Sequence, residues 1–312
     1  MKIVIAGASG LIGRALVDHL AASGRELVVL TRSSSPAHRE RVSPSRAVWD
    51  GLSDGPWVRS LDGAKAVINL SGESIAAGRW TAARKRRILE SRVLSTRTLV
   101  SALSRLTHPP RVFINASAVG IYGDVPDGDV DESHAAGSGF LADVCRAWEA
   151  EAFAASRDGL RVVTLRTGIL LDTRGGALPP LLRPFRFFAG GHLGDGSQWM
   201  PWIHRQDEIR AIAFILENER IDGAVNLTAP QPATMKELCG EIGTIIRRPA
   251  WTRVPAFVLR LALGEMAGPL LLEGQRALPE KLLKSGFSFR FPTLRAALGD
   301  LLGKSPVSGS ES

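Results

Sequence analysis

Residues 2–22 read KIVIAGASGLIGRALVDHLAA. Lys2 to Ala6 is a short run rich in β-branched residues, the pattern of a strand buried on both faces. Gly7, Gly10 and Gly13 follow in G-x-x-G-x-x-G spacing. Leu16, Val17 and Leu20 then recur at helical intervals, and Gly24 marks the helix end. Strand, glycine triplet and helix in that order make a turn suited to phosphate. The first glycine permits the tight turn. The second lets the backbone approach a pyrophosphate seated on the positive end of the helix. The third lets the helix pack closely on the strand. Gly7, Ser9, Gly10, Leu11, Ile12 and Gly13 are therefore the expected dinucleotide contacts. A merely flexible turn is the competing reading, and the flanking strand and helix count against it.

Outward from this turn, strands and helices alternate. Glu26 to Thr31 (ELVVLT), Ala64 to Leu70 (AKAVINL), Arg111 to Ala116 (RVFINA) and Leu160 to Leu165 (LRVVTL) read as strands. Helices are expected near 84–106 and over Leu141 to Ser156, and GAVNLTAP reads as a returning strand. Such alternation predicts an α/β fold, a Rossmann-type doubly wound parallel sheet with a smaller second lobe.

Composition removes several classes of protein. Apolar residues make up 45% and charged residues 22% of the 312, enough to bury a core without disulfide or metal staples. Two cysteines, Cys145 and Cys239, cannot form a disulfide framework or a zinc cluster, and they point to a reducing, cytoplasmic setting with no metal. The early apolar run stops at Gly7 and the stretch Ala256 to Leu263 is broken by Arg260, so neither a signal peptide nor a bilayer span is expected. The net charge is +8, and its densest run is Arg84-Lys85-Arg86-Arg87, flanked by Arg79, Arg92 and Arg97. Leu89, Val93, Thr96, Val100 and Leu103 mark the apolar face of that helix, which leaves the arginines mainly on the solvated side. No aromatic-interleaved basic module accompanies them, so no nucleic-acid partner is expected.

Cofactor choice is read at the end of the second strand. A carboxylate there favours NAD by accepting hydrogen bonds from the adenosine ribose. This chain has Thr31-Arg32-Ser33 instead. Arg32 offers a guanidinium and Ser33 a hydroxyl to a 2′-phosphate, which favours NADP(H). Asp50 could accept from the adenine amino group or be a turn residue before Gly51. Residues 1–174, with a return at about 205–228, are expected to form the NADP-binding domain. Residues 175–204 and 229–302 form the substrate-side lobe, with a disordered tail at 303–312. An aromatic and glycine-rich stretch from Phe185 to Trp202 could wall a pocket or pack between lobes.

The segment IVIAGASGLIGRAL resembles the extended short-chain dehydrogenase/reductase superfamily, which includes NAD-dependent epimerases and dehydratases. INLSGE (68–73), FINASAVGIYGD (113–124), LRTGILL (165–171) and PWIHRQDEIRAI (201–212) are similar to its cofactor-side and substrate-side segments. This implies that Leu70, Ser71, Gly72 and Ser117 lie beside the cofactor. GRWTAARKRRILESRVLSTRTLV, the Trp148-Glu149 pair and LPEKLLKSGFSFRFPTLRAALGDLL resemble the atypical "epimerase family protein" branch, which carries a small C-terminal domain of unknown function. The superfamily implies a tyrosine with a lysine four residues later, and an upstream serine or threonine, as the acid–base group. This chain has one tyrosine, Tyr122, with Pro126 four residues on. Matched through Glu149, the tyrosine and lysine positions become Leu141 and Cys145. Matched through Tyr122, the serine position becomes Ala118, and Ser117 points the other way on an extended strand.

Replacements are Tyr122, as proton donor or packed aromatic; Glu73, as base or helix cap; and His204, as acid–base group or structural residue. The expected activity is that of an NADP(H)-dependent oxidoreductase or epimerase on a small carbonyl or hydroxyl substrate, as a monomer or homodimer. A non-catalytic NADP-binding sensor or scaffold is the alternative.

Overall fold

The computed structural model describes residues 1–32, 44–156 and 159–303. Ser33 and residues 304–312 of the expected tail lie outside them. Seven strands form one parallel sheet: β1 (Lys2–Ala6), β2 (Glu26–Thr31), β3 (Ser45–Val48), β4 (Ala66–Asn69), β5 (Val112–Ala118), β6 (Arg161–Thr167) and β7 (Gly223–Leu227). Their spatial order is β7-β6-β5-β4-β1-β2-β3. The connections run one way from β1 and the other way from β4, so the direction reverses between these two neighbours. Ile3 pairs with Leu27 on one side and with Ala66 on the other. The crevice beyond the carboxyl ends of β1 and β4 is where this topology places ligands.

Alternation along each strand divides the core. Ile3, Ile5, Ile68 and Ile114 face helices α1 (Leu11–Ala22) and α4 (Arg205–Glu217), meeting Leu16, Leu20, Ile209 and Ile212. Val4, Ala6, Val67 and Phe113 face the other way, toward Leu99, Leu103 and Ala152 of α2 (Ala82–Leu103) and α3 (Phe140–Phe153). A third cluster, including Leu171, Leu178, Phe185, Trp202, Leu238, Ile242 and Leu298, gathers segments that follow β6.

Two expectations change. Helix α2 buries only Thr96 and Leu103 of the face Leu89-Val93-Thr96-Val100-Leu103, the other three being half-buried. Its buried residues are Arg84, Ile88, Ser95, Thr96, Leu99, Ala102 and Leu103. The buried face is turned to take in Arg84, Ile88, Ser95, Leu99 and Ala102, and Thr96, common to both faces, reaches a polar cluster beneath the sheet ends, where its hydroxyl contacts Asn69, Asn115 and Trp148. The aromatic and glycine-rich stretch also divides. Phe185 and Trp202 are core, while Phe187 and Phe188 are exposed. Gly191 is required for close approach, since a Cβ there would lie 1.8 Å from the Thr252 carbonyl oxygen.

Candidate functional site

The glycine turn closes on the end of β4. Gly7 has φ +79°, and a Cβ on it would lie 2.5 Å from the Leu70 carbonyl carbon. A Cβ on Gly13 would meet the Gly7 carbonyl oxygen at 2.3 Å. Gly10 differs: its nearest neighbour is the Gly7 oxygen at 3.3 Å. Gly10 is also the N-cap of α1 and supplies no side-chain cap. The first N–H groups of the helix thus keep their hydrogen-bonding capacity and positive potential for an anion. A cradle that a side chain would fill, on an uncapped helix N-terminus, fits a pyrophosphate.

A cleft of about 460 Å³ opens from this turn. Gly7, Gly10, Leu11, Ile12, Gly13, Leu70, Ser71, Gly72 and Ser117 line it, as do Ala118, Leu141 and Cys145. Ser9 and Arg32 are exposed and do not line it; neither do Thr31 and Asp50. Asp50 is a turn residue: its Oδ1 accepts from the backbone N–H groups of Leu52 and Ser53, both at 2.8 Å, and these bonds lower its pKa.

A buried polar layer supports the floor. Asn69 Nδ2 donates to Asn115 Oδ1 at 2.7 Å and to Thr96 at 3.0 Å, while Asn69 Oδ1 accepts from the Ser71 N–H at 3.1 Å. Strands β4 and β5 are thereby tied to the segment that meets the glycine turn. Ser117 donates to Glu149 Oε1 at 2.7 Å, and Glu149 takes Arg166 in a two-point contact at 2.9 Å.

None of the three acid–base candidates lines the cleft. Tyr122 is buried, donating its hydroxyl hydrogen to Asn226 at 2.7 Å and accepting from Arg166 at 2.9 Å. Burial pushes its pKa up to about 12. The short helix Val119–Tyr122 turns the ring into the core, so the loop does not present it to a substrate. Glu73 is taken up in ion pairs with Arg84 and Arg87. His204 is the N-cap of α4, where Nδ1 accepts from the Gln206 N–H at 3.1 Å. Its ring lies 4.0 Å from that of Phe291, and burial lowers its pKa.

Sequence reasoning missed Arg92. It lines the cleft, and its guanidinium lies over the Trp148 ring at 5.1 Å. The signal was available as the spacing Ile88, Arg92, Ser95, Leu99, a second 4-3-4 face that carries a charge. Arg84 was missed as well; it is buried rather than solvated. Later segments complete the cleft with Thr167, Trp199, Met200, Leu270, Glu273 and Gln275. Among the described residues no helix is long and apolar enough to cross a membrane.

Residues 3–227 match the NAD dependent epimerase/dehydratase family, and residues 254–301 match a domain of unknown function, DUF1731. The chain belongs to the NAD dependent epimerase/dehydratase family. Within that family it is 39% identical to the Arabidopsis thaliana chloroplastic SDR39U1 homolog, over 96% of this chain and 86% of that protein. It is 36% identical to the epimerase family protein YfhF of Bacillus subtilis, over 97% of this chain and 98% of the relative. The crystal structure of human epimerase family protein SDR39U1 with NADPH superposes with a TM-score of 0.87 at 31% identity, covering 98% of this chain and all of the human one. The seven-stranded parallel sheet is the Rossmann-like fold of these relatives.

Proposed function

We propose that this family member is an NADP(H)-dependent oxidoreductase or epimerase for a small carbonyl or hydroxyl compound, working without the usual tyrosine–lysine pair. One observation carries the reading: the glycine cradle and the positions Ala118, Leu141 and Cys145 line one cleft. When bound, the cofactor supplies a hydride at nicotinamide C4. Gly10 to Gly13 would hold its pyrophosphate, and Arg32 with Ser33 would receive the 2′-phosphate. The human relative with NADPH supports that choice over NAD. Residues 1–174 with the return at 205–228 would be the cofactor domain. Residues 175–204 and 229–302 would be the substrate-side lobe, because Trp199, Met200, Leu270 and Glu273 wall the same cleft. Two free, buried cysteines suit a reducing cytoplasm.

Ala118 and Leu141 have no proton to exchange. Cys145 holds its own, since burial pushes its pKa up to about 11. The chain's contribution would be orientation and exclusion of water, with water or a substrate group moving the proton. Orientation supplies roughly 7–11 kcal/mol in favourable cases, while a missing general acid forfeits about 10²–10⁴-fold. Slow NADPH oxidation is therefore expected across a carbonyl panel. Turnover near the common enzyme value of about 10 s⁻¹ would show that an efficient acid is present and overturn this assignment. The apolar walls also favour a second reading, a non-catalytic NADP(H) sensor. Tight NADPH binding without turnover on any carbonyl or hydroxyl compound would support it.

A further inference from the structure

We infer that Arg92 receives a carboxylate on the substrate, so that the cleft takes a carboxylate-bearing carbonyl compound with an apolar body. This deepens the oxidoreductase reading and rests on it. The guanidinium enters the cleft from α2, beside Gly72, where a Cβ would lie 3.2 Å from Arg92 Cζ. Its one hydrogen bond among the described residues runs from Nη1 to the Ile88 carbonyl oxygen at 3.0 Å. No carboxylate lies within ion-pair distance of it among those residues, Glu73 acting on it only at longer range, although its neighbours are paired: Arg84 and Arg87 with Glu73, Arg97 with Glu151, Arg166 with Glu149. The group lies over the Trp148 ring, and that indole is itself held by its Nε1–H donating to Thr96 at 2.9 Å.

Burial lowers the Arg92 pKa from the ordinary arginine value, and a guanidinium keeps its charge in proteins. Without an anion it bears a desolvation cost, and its planar fork matches the two oxygens of a carboxylate. The glycine turn already provides for the cofactor's pyrophosphate. Arg92 instead adjoins Trp148 and Cys145 on the α3 wall, where the reacting part of the substrate would lie. Ile75, Phe140, Leu141, Val144, Met200 and Leu270 make the surrounding surface apolar. Glu273 is the other charged side chain on the lining, so a second anionic group on the ligand is disfavoured.

The experiment is calorimetric titration of the full chain, with and without saturating NADPH, using phenylpyruvate and its neutral counterpart phenylacetone. Wild type should prefer phenylpyruvate by roughly tenfold to a hundredfold, the range of a charge-assisted contact. Arg92→Met should erase the preference and leave NADPH affinity within about twofold of wild type. Arg92→Lys, which keeps the charge but not the fork, should retain part of it, and decides the matter if the methionine variant fails to fold. Equal binding of the two probes, binding of neither, a preference surviving Arg92→Met, or a tenfold loss of NADPH affinity in either variant overturns the inference. Failure of wild type to bind NADPH defeats the oxidoreductase reading instead, and the cofactor-free titration still reports on Arg92.

Discussion

Gly10 and Gly13 stand three residues apart in one turn and should respond differently to an added side chain. Beside Gly10 the nearest atom, the Gly7 carbonyl oxygen, is 3.3 Å from a Cβ, a tight contact but not a clash, so Gly10→Val should fold and lower the melting temperature less than Gly13→Ala. The valine isopropyl group would occupy the pyrophosphate position and abolish NADPH binding by calorimetry. Gly13→Ala drives a methyl group into backbone at 2.3 Å and should lower stability by about 1–3 kcal/mol or more. A folded Gly10→Val that binds NADPH normally would refute the cradle. Arg32→Ala should weaken NADPH by about 1.5–3 kcal/mol and leave NADH unchanged; equal affinity of wild type for both cofactors would refute it. The glycines were legible because positive φ and atomic contact are demands that only one residue type meets. Arg92 was harder to read, because the face Ile88, Arg92, Ser95, Leu99 that carries it has only two apolar residues to mark it against the more apolar face beside it. Tyr122, Glu73 and His204 misled for a different reason. Their chemistry suits catalysis, but burial, ion pairing and helix capping use the same atoms.

Helix α4 carries the clearest pH signature. Glu208 is buried, its Oε1 accepting from Thr167 at 2.9 Å while Oε2 has no hydrogen-bond partner among the described residues. Burial raises its pKa from 4.5 to about 8. Between these values the folded state holds a proton that the unfolded state has lost, so stability falls as pH rises through that window and levels off above it. Glu208→Gln removes the titration. It should match wild type at pH 5 and exceed it by a few kcal/mol at pH 8.5 in urea unfolding. A stability difference that does not change with pH would refute this. Elements such as β1, β2 and α3 were legible from their own apolar pattern. Strand β3, the strand pair 190–193 with 250–254, and the strand at 125–130 were not. Each pairs with residues distant in sequence or makes little use of an apolar pattern.

Across the whole molecule, Asp207 joins the sheet domain to the C-terminal segment. Its carboxylate accepts from the N–H groups of Arg290 and Phe291, both at 2.8 Å, and from Arg210 at 2.9 Å. Asn226 and Thr228, in and just beyond β7, donate to the carbonyls of Leu278 and Ala277. Asp207→Ala would strand two backbone donors at about 1–3 kcal/mol each. A chemical denaturation midpoint that moves as one transition by that amount is expected; an unchanged midpoint would show the two parts to be independent. Sequence periodicity gave no sign of the long-range contacts, because hydrogen bonds between residues 49 to 84 apart leave no local pattern. NADPH should raise the melting temperature by several degrees, since a ligand at 100 times its Kd adds about 2.7 kcal/mol.

The lone tyrosine has a practical consequence. With its hydroxyl shared between Asn226 and Arg166 and its pKa near 12, the phenol stays protonated in alkali that would ionise a free one. Tyrosinate absorbance should therefore remain silent through a moderately alkaline titration and rise when the sheet comes apart. One chromophore, present once per chain, then serves as a built-in optical gauge of the folded fraction, free of overlapping signals from other phenols.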